Sequence, residues 1–148
     1  MLKLDCRFFF GDRPCSYHKN MGIKCDHCQD YSPINFKILI IKLDAMGDVL
    51  RTTSILKPLK NKYKDAHLTW CTREESREIL RNDYVDEIII YEEDAFLRIT
   101  CEKYDLVINL DSSKISSALC SVARGTLKQG FILNDKGVVI PLSDLAEQ

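Results

Sequence analysis

The 148-residue sequence contains no apolar run approaching the roughly 20 residues a helix needs to cross a bilayer, which excludes a helical membrane span. Its first residues, MLKLDCRFFFGDRPC, lack the uninterrupted apolar core of a signal peptide. Both absences lead to the expectation of a cytoplasmic protein, at most peripheral at the inner face of the cytoplasmic membrane. Charge of one sign is missing too: Lys and Arg number 21 against 22 Asp and Glu, with no long basic run, so nothing calls for nucleic acid or an anionic surface. The six glycines never form the three-glycine dinucleotide fingerprint, and no Gly-Lys-Ser/Thr of a P-loop occurs. No repeat of fixed period and no low-complexity tract is present. The lone tryptophan, Trp70, sits inside an apolar run and reads as core.

What is present is an ordinary globular composition, 45% hydrophobic and 29% charged, enough for one compact domain with a single core. Seven cysteines are many for this length, and an odd number argues against a closed disulfide framework. Cys71, Cys101 and Cys120 fall singly among apolar neighbours and read as buried core thiols. The other four lie between Cys6 and Cys28.

Residues 1–33 show no sustained period and hold Gly11, Pro14, Gly22 and Pro33 among clustered Cys and His, the texture of a stapled or disordered leader. From residue 34 to 148 short β-rich runs alternate with amphipathic segments, which predicts an α/β, Rossmann-like parallel sheet. KILIIKL (37–43), HLTWCT (67–72), EIIIY (87–91), YDLVINL (104–110) and KQGFIL (128–133) read as strands, mostly too apolar on both faces for a half-exposed sheet. Helices are expected over Val49–Leu59, weakened near its end by Pro58, and around Arg73–Arg81, Ala95–Lys103 and Ile115–Ala123. The tail, VVIPLSDLAEQ, reads as a short strand followed by polar residues.

In an open parallel sheet, ligands bind outside the carboxyl ends of the strands, so the turn DAMGD after the first strand is the first place to seek a site. An Asp at the start of a helix is also a good N-cap, and Asp44 or Asp48 could serve. LIIKLDAMGDVLRTTSILKPLKNKY resembles the opening of the heptosyltransferase-like glycosyltransferases of family 9: an aliphatic strand, a turn ending in Gly-Asp, and a helix beginning Val-Leu. HLTWCT, NDYVDEIIIY and YDLVINLDSS are similar to the family's next three strands, so the resemblance covers Phe36 to Leu142. It implies the N-terminal half of a GT-B fold, the acceptor-side one of two Rossmann-like domains. It further implies an inverting enzyme, similar to ADP-heptose:lipopolysaccharide heptosyltransferases, that moves a sugar from a nucleotide donor to a glycan acceptor, in some cases lipid-linked.

In that family the Asp of the Gly-Asp turn is the general base and no catalytic metal is needed, which by resemblance assigns the role to Asp48. A carboxylate suits it, because a sugar hydroxyl gives up its proton only as its bond to the anomeric carbon develops. Gly47 would allow close approach, and Lys42, Asp44, Arg51, Asp111 and Ser112 are candidate substrate-binding residues at strand ends. Only the first domain is matched, so the chain is expected to be inactive without a donor-binding domain, supplied in some cases by a companion chain. The alternative is a noncatalytic glycan- or protein-binding module.

The leader reads C-x8-C-x2-H-x6-C-x2-C. A Cys-x2-Cys knuckle puts two thiolates on one side of a tight turn, and tetrahedral Zn2+ takes four such ligands. Cys6, Cys15, Cys25 and Cys28 are the first choice, with His18 replacing Cys6 or Cys15 as the alternative. Four protein ligands would make such a zinc structural; an iron–sulfur cluster and unligated thiols compete with it. DCRFFFGDRPCSYHK also resembles a leader found in a subset of family 9 proteins. Arg7, Arg13, Lys19 and Lys24 could suggest a nucleic-acid-binding ribbon, but Asp5, Asp12, Asp26 and Asp30 largely cancel their charge.

Overall fold

The computed structural model describes residues 1–142, so the polar end of the tail lies outside the described residues. The chain divides into two compact units, Met1–Asn35 and Phe36 onward.

The first unit is mostly irregular. Its helix α1, Ser16–Met21, starts at Cys15, whose sulphur accepts the His18 N–H, and stops at Gly22, where a left-handed backbone (φ 65°) lets the Gly22 N–H bond the His18 carbonyl. A single 3-10 turn, Cys25–His27, carries the Cys-x2-Cys knuckle. Cys6 and Pro33 form an isolated antiparallel bridge, flanked by Arg7 N–H to Ser32 O at 2.8 Å and Ile34 N–H to Asp5 O at 2.8 Å.

The second unit is built on a six-stranded sheet of order β3-β2-β1-β4-β5-β6. Its strands are β1 (Lys37–Ile41), β2 (His67–Thr72), β3 (Glu87–Ile90), β4 (Lys103–Asn109), β5 (Arg124–Leu133) and β6 (Val139–Pro141). The first five run parallel, as the apolar runs predict, whereas β6 pairs antiparallel with β5, so the sheet is mixed rather than all-parallel. Alternation along β1 explains why its run is apolar throughout. Ile38 and Ile40 enter one core with Val49, Leu56 and Trp70, while Leu39 and Ile41 enter the other with Ile99, Val107 and Leu119. Trp70 is fully buried, as expected.

Two helical expectations are corrected. The Val49–Leu59 stripe is not one helix but α2 (Met46–Thr52), a 3-10 joint (Thr53–Ile55) and α3 (Leu56–Lys62). Pro58 explains the joint: its ring would crowd the carbonyl four residues earlier in a continuous helix, whereas in the first turn of α3 its missing N–H costs nothing. The Arg73–Arg81 segment forms two 3-10 turns, Glu74–Ser76 and Glu78–Leu80, instead of an α-helix. With Ile79 and Leu80 as its only large apolar groups, it has too narrow a stripe to sustain one. The last two helices stand close to expectation, as α4 (Glu93–Cys101) and α5 (Lys114–Val122).

Among the three isolated cysteines, Cys71 and Cys120 are buried, but Cys101 is exposed at the end of α4, against expectation. Burial pushes the Cys71 thiol from its ordinary 9.0 up to about 12. Its contribution to stability is therefore full below the unfolded-state value of 9.0 and is lost as pH rises towards about 12.

Gly130 lies where β5 leaves register with β4 and takes up β6, pairing with Asn109 at φ +93°. A Cβ there would stand 1.8 Å from the Asn109 carbonyl oxygen, an overlap only backbone movement can relieve. Gly130→Ala is expected to destabilise the unit by at least about 2 kcal/mol, read as a lower denaturant midpoint. A midpoint within error of the parent would show that β5 can rebuild there.

Candidate functional site

The chain leaves β1 for β2 and β3 on one side and returns to β4 on the other, so the carboxyl ends of β1 and β4 flank the switch point of the sheet. Three of the predicted site residues meet there. The Lys42 ammonium lies 2.6 Å from Asp111 Oδ1 and 2.8 Å from Asp44 Oδ2, and donates to the Leu110 carbonyl at 3.1 Å. Two of its three N–H groups are hydrogen-bonded, to Asp44 and to the Leu110 carbonyl, while Asp111 Oδ1 is held by charge rather than by a well-directed hydrogen bond. Asp111 also accepts the Leu43 backbone N–H, and its own N–H reaches Asn109 Oδ1 at 3.1 Å. The end of β1 is thereby tied to the end of β4 by one buried ion pair and its hydrogen bonds.

The environment sorts the charges. Burial alone would lower the pKa of Lys42, but the adjacent carboxylates of Asp111 and Asp44 outweigh it and raise it. Burial raises Asp111, reinforced by the carboxylate of Asp44 beside it. Asp44, more open to water, is lowered by its bonds to Asp111 and Lys42, with a further pull from Arg73. On acidification Asp111 therefore takes up a proton above the ordinary 3.8 and Asp44 below it. The native preference for a protonated Asp111 strengthens stability as pH falls towards that range, whereas Asp44's contribution is lost as pH falls through its lowered value.

The remaining candidates stand on the turn and helix that follow. The N-cap of α2 is Ala45, with no side-chain cap bond, so neither Asp44 nor Asp48 caps it. Asp48 lies in the first turn, half-buried, and its carboxylate takes the guanidinium of Arg51 one turn on. Thr52 Oγ1 donates to the Asp48 carbonyl at 2.7 Å. Gly47 precedes it in the helix, and a Cβ there would meet nothing within 4 Å. Nothing in the fold requires glycine at that position. Ser112 is exposed between β4 and α5, next to Ser113, which caps α5 by accepting the Ser116 N–H at 3.2 Å.

One contributor was missed from sequence. Arg73, immediately after β2, donates from Nε to the Leu43 carbonyl at 2.9 Å and stacks over Tyr91 at 5.7 Å. With Leu43, Asp44, Ala45, Met46, Glu75 and Ser76 it lines an open hollow of about 450 Å³ beside the first turn. From sequence Arg73 is only the first residue of an expected helix. Its position one residue past a parallel strand was the available signal. Among the described residues, no group of three or more His, Cys, Asp or Glu side chains is arranged to hold a metal ion here or elsewhere, and no helix is long and apolar enough to cross a membrane.

No family model and no curated protein matches the chain in sequence. Solved structures do match in fold. E. coli heptosyltransferase WaaC with ADP is 23% identical at a TM-score of 0.57, with 64% of this chain aligned to 35% of that one. A glycosyltransferase of family 9 from Veillonella parvula is 23% identical at a TM-score of 0.59, over 66% of this chain and 32% of that one. E. coli ADP-heptose lps heptosyltransferase II gives 23% and 0.57, over 64% and 30%. The chain thus spans about a third of the length of these proteins, and the likeness at this identity is one of fold. The five parallel strands, their switch point and the helix that follows β1 make this an α/β Rossmann-like chain whose fold is similar to one part of the heptosyltransferase-like GT-B glycosyltransferases of family 9.

Proposed function

We propose that the unit from Phe36 onward is the acceptor-side half of an inverting glycosyltransferase, with Asp48 as general base. The acceptor is a glycan, in the lipid-linked case presented at the inner face of the cytoplasmic membrane, and the donor is a nucleotide-activated heptose or related sugar. The observation that carries this reading is the pairing of Asp48 with Gly47. A half-buried carboxylate stands in the first turn of the helix that follows β1, beside a glycine that the fold does not need and that leaves open space next to it. Glycine inside a helix costs roughly 0.5–1 kcal/mol relative to alanine, a cost that close approach of an acceptor would account for.

In the reaction the acceptor hydroxyl oxygen bonds to the anomeric carbon as the bond from that carbon to the diphosphate oxygen breaks. The configuration inverts, the nucleoside diphosphate leaves, and the hydroxyl proton passes to Asp48. Lys42 and Asp111 act as positioning residues that fix the end of β1. Arg51 holds the Asp48 carboxylate, and Ser112, Asp44 and Arg73 offer polar groups to acceptor hydroxyls or phosphates. The nucleotide-sugar is held by a second Rossmann-like unit, on further residues or a companion chain. This division follows that of the GT-B enzymes, among which WaaC has been solved with ADP and with ADP-2-deoxy-2-fluoro heptose.

The 148-residue chain should therefore bind a lipopolysaccharide-core oligosaccharide, shifting the backbone amide resonances of Gly47, Asp48, Arg51 and Ser112, while transferring no sugar from ADP-heptose by itself. Gly47→Ala should raise stability by about 0.5–1 kcal/mol and weaken that binding. Turnover by the isolated chain, or a glycan that shifts only resonances far from the first turn, would overturn the assignment.

A further inference from the structure

We propose that Cys6, Cys15, Cys25 and Cys28 bind one Zn2+ as a structural tetrathiolate that holds the first unit in its fold, with His18 outside the ligand set. All four cysteines line a single small cavity of about 20 Å³, walled by Phe8, Phe9 and Tyr31. That volume suits one atom-sized occupant. His18 does not line it; it borders a neighbouring hollow, with Nδ1 3.2 Å from the Ile23 carbonyl.

A second observation is independent of the sulphurs. None of the residues 1–35 is buried, and their regular structure amounts to one helix of 6 residues and one turn of 3. Chains below about 40 residues that lack a core are held by disulfides, metals or assembly. The four thiols are free, which leaves disulfides out of this state.

Each thiol also stands on backbone that is fixed locally. Cys6 is in the bridge to Pro33, and Cys15 caps α1, with the His18 N–H directed at its sulphur at 3.5 Å. Cys25 and Cys28 close the 3-10 turn, with the Cys28 N–H on the Cys25 carbonyl at 3.4 Å. As they stand, the sulphurs border the cavity without forming a coordination set, and binding draws them in. Each of the four thiols gives up its proton, Zn2+ accepts four thiolate lone pairs, and the product carries a charge of 2− with no redox change. Lys3, on the cavity wall, is placed to offset part of that charge. Four soft ligands favour zinc and leave no open position, so the role is structural.

The test uses the full chain, expressed in zinc-supplemented medium and purified without metal-affinity steps. Elemental analysis should give one zinc per chain. A chelator should expose residues 1–35 to protease while the unit from Phe36 persists. Cobalt substitution should give the visible spectrum of a tetrahedral tetrathiolate, unchanged in His18→Ala and lost in Cys28→Ser. The proposal is overturned by a leader equally protease-resistant without metal, by a mass lower by four hydrogens from two disulfides, by iron with sulfide, or by a cobalt spectrum that His18→Ala alters.

Discussion

Asp48→Asn, made in the transferase that contains these residues, is expected to lower sugar transfer by about 10²–10⁴-fold with little change in acceptor KM. Asparagine keeps the size of the side chain and can still meet Arg51, but it cannot accept the hydroxyl proton in the transition state. That rate loss corresponds to about 3–5 kcal/mol of barrier. The cost to stability should be far smaller, because a carboxylate in the first turn of a helix contributes roughly 0.3–1 kcal/mol through the helix dipole. The two readouts separate the roles: a large fall in kcat at a nearly unchanged melting temperature marks a base. A residual rate within about threefold of the parent would remove Asp48 from the chemistry and leave it a surface partner of Arg51.

Lys42→Met is expected to cost about 3–5 kcal/mol of folding stability, because it strands the carboxylate of Asp111 in the interior. The Asp111 side chain is fully buried and Lys42 nearly so. Their attraction offsets a desolvation cost that either would carry alone. For a domain whose whole stability is of the order of 5–15 kcal/mol, this is a large share. Adding Asp111→Asn should restore much of the loss, since the amide oxygen still accepts the Leu43 N–H and no unpaired charge remains. A denaturant series on both variants measures the coupling directly. A single variant that loses less than about 1 kcal/mol would show that the pair does not hold the ends of β1 and β4 together.

How much of this could be read from residues differs by element. β2 coincides with its predicted run, His67–Thr72, because five of its six residues are buried and the charged Arg73 ends it. The first strand, turn and start of the helix were legible because their signal is local, held within Lys37–Thr52. The ion pair was not. Lys42 and Asp111 each appeared as a flanking polar residue, and only the placement of β4 beside β1 joins them. The failure at Arg73–Arg81 has a different origin: the charged residues there suit either helix type, and the narrow apolar stripe decided for short 3-10 turns. The antiparallel entry of β6 depends on the backbone reversal after Leu133, where Asn134 Oδ1 accepts the N–H groups of Lys136 and Val138, a turn not anticipated from composition.

That short last strand also bears on how the molecule behaves in crowded solution. A parallel sheet has two rims of unpaired amides, each a template for another chain. At one rim β6 covers β5 only at Phe131–Leu133 and itself offers only Val139–Pro141, whose final residue has no N–H to donate. At the other, β3 is only 4 residues long and begins with Glu87, whose carboxylate is held by Arg98 at 2.6 Å. Brevity, a proline nitrogen without N–H and a paired charge thus blunt these two outermost strands as templates, beside a sheet centre that is among the most apolar stretches of the chain.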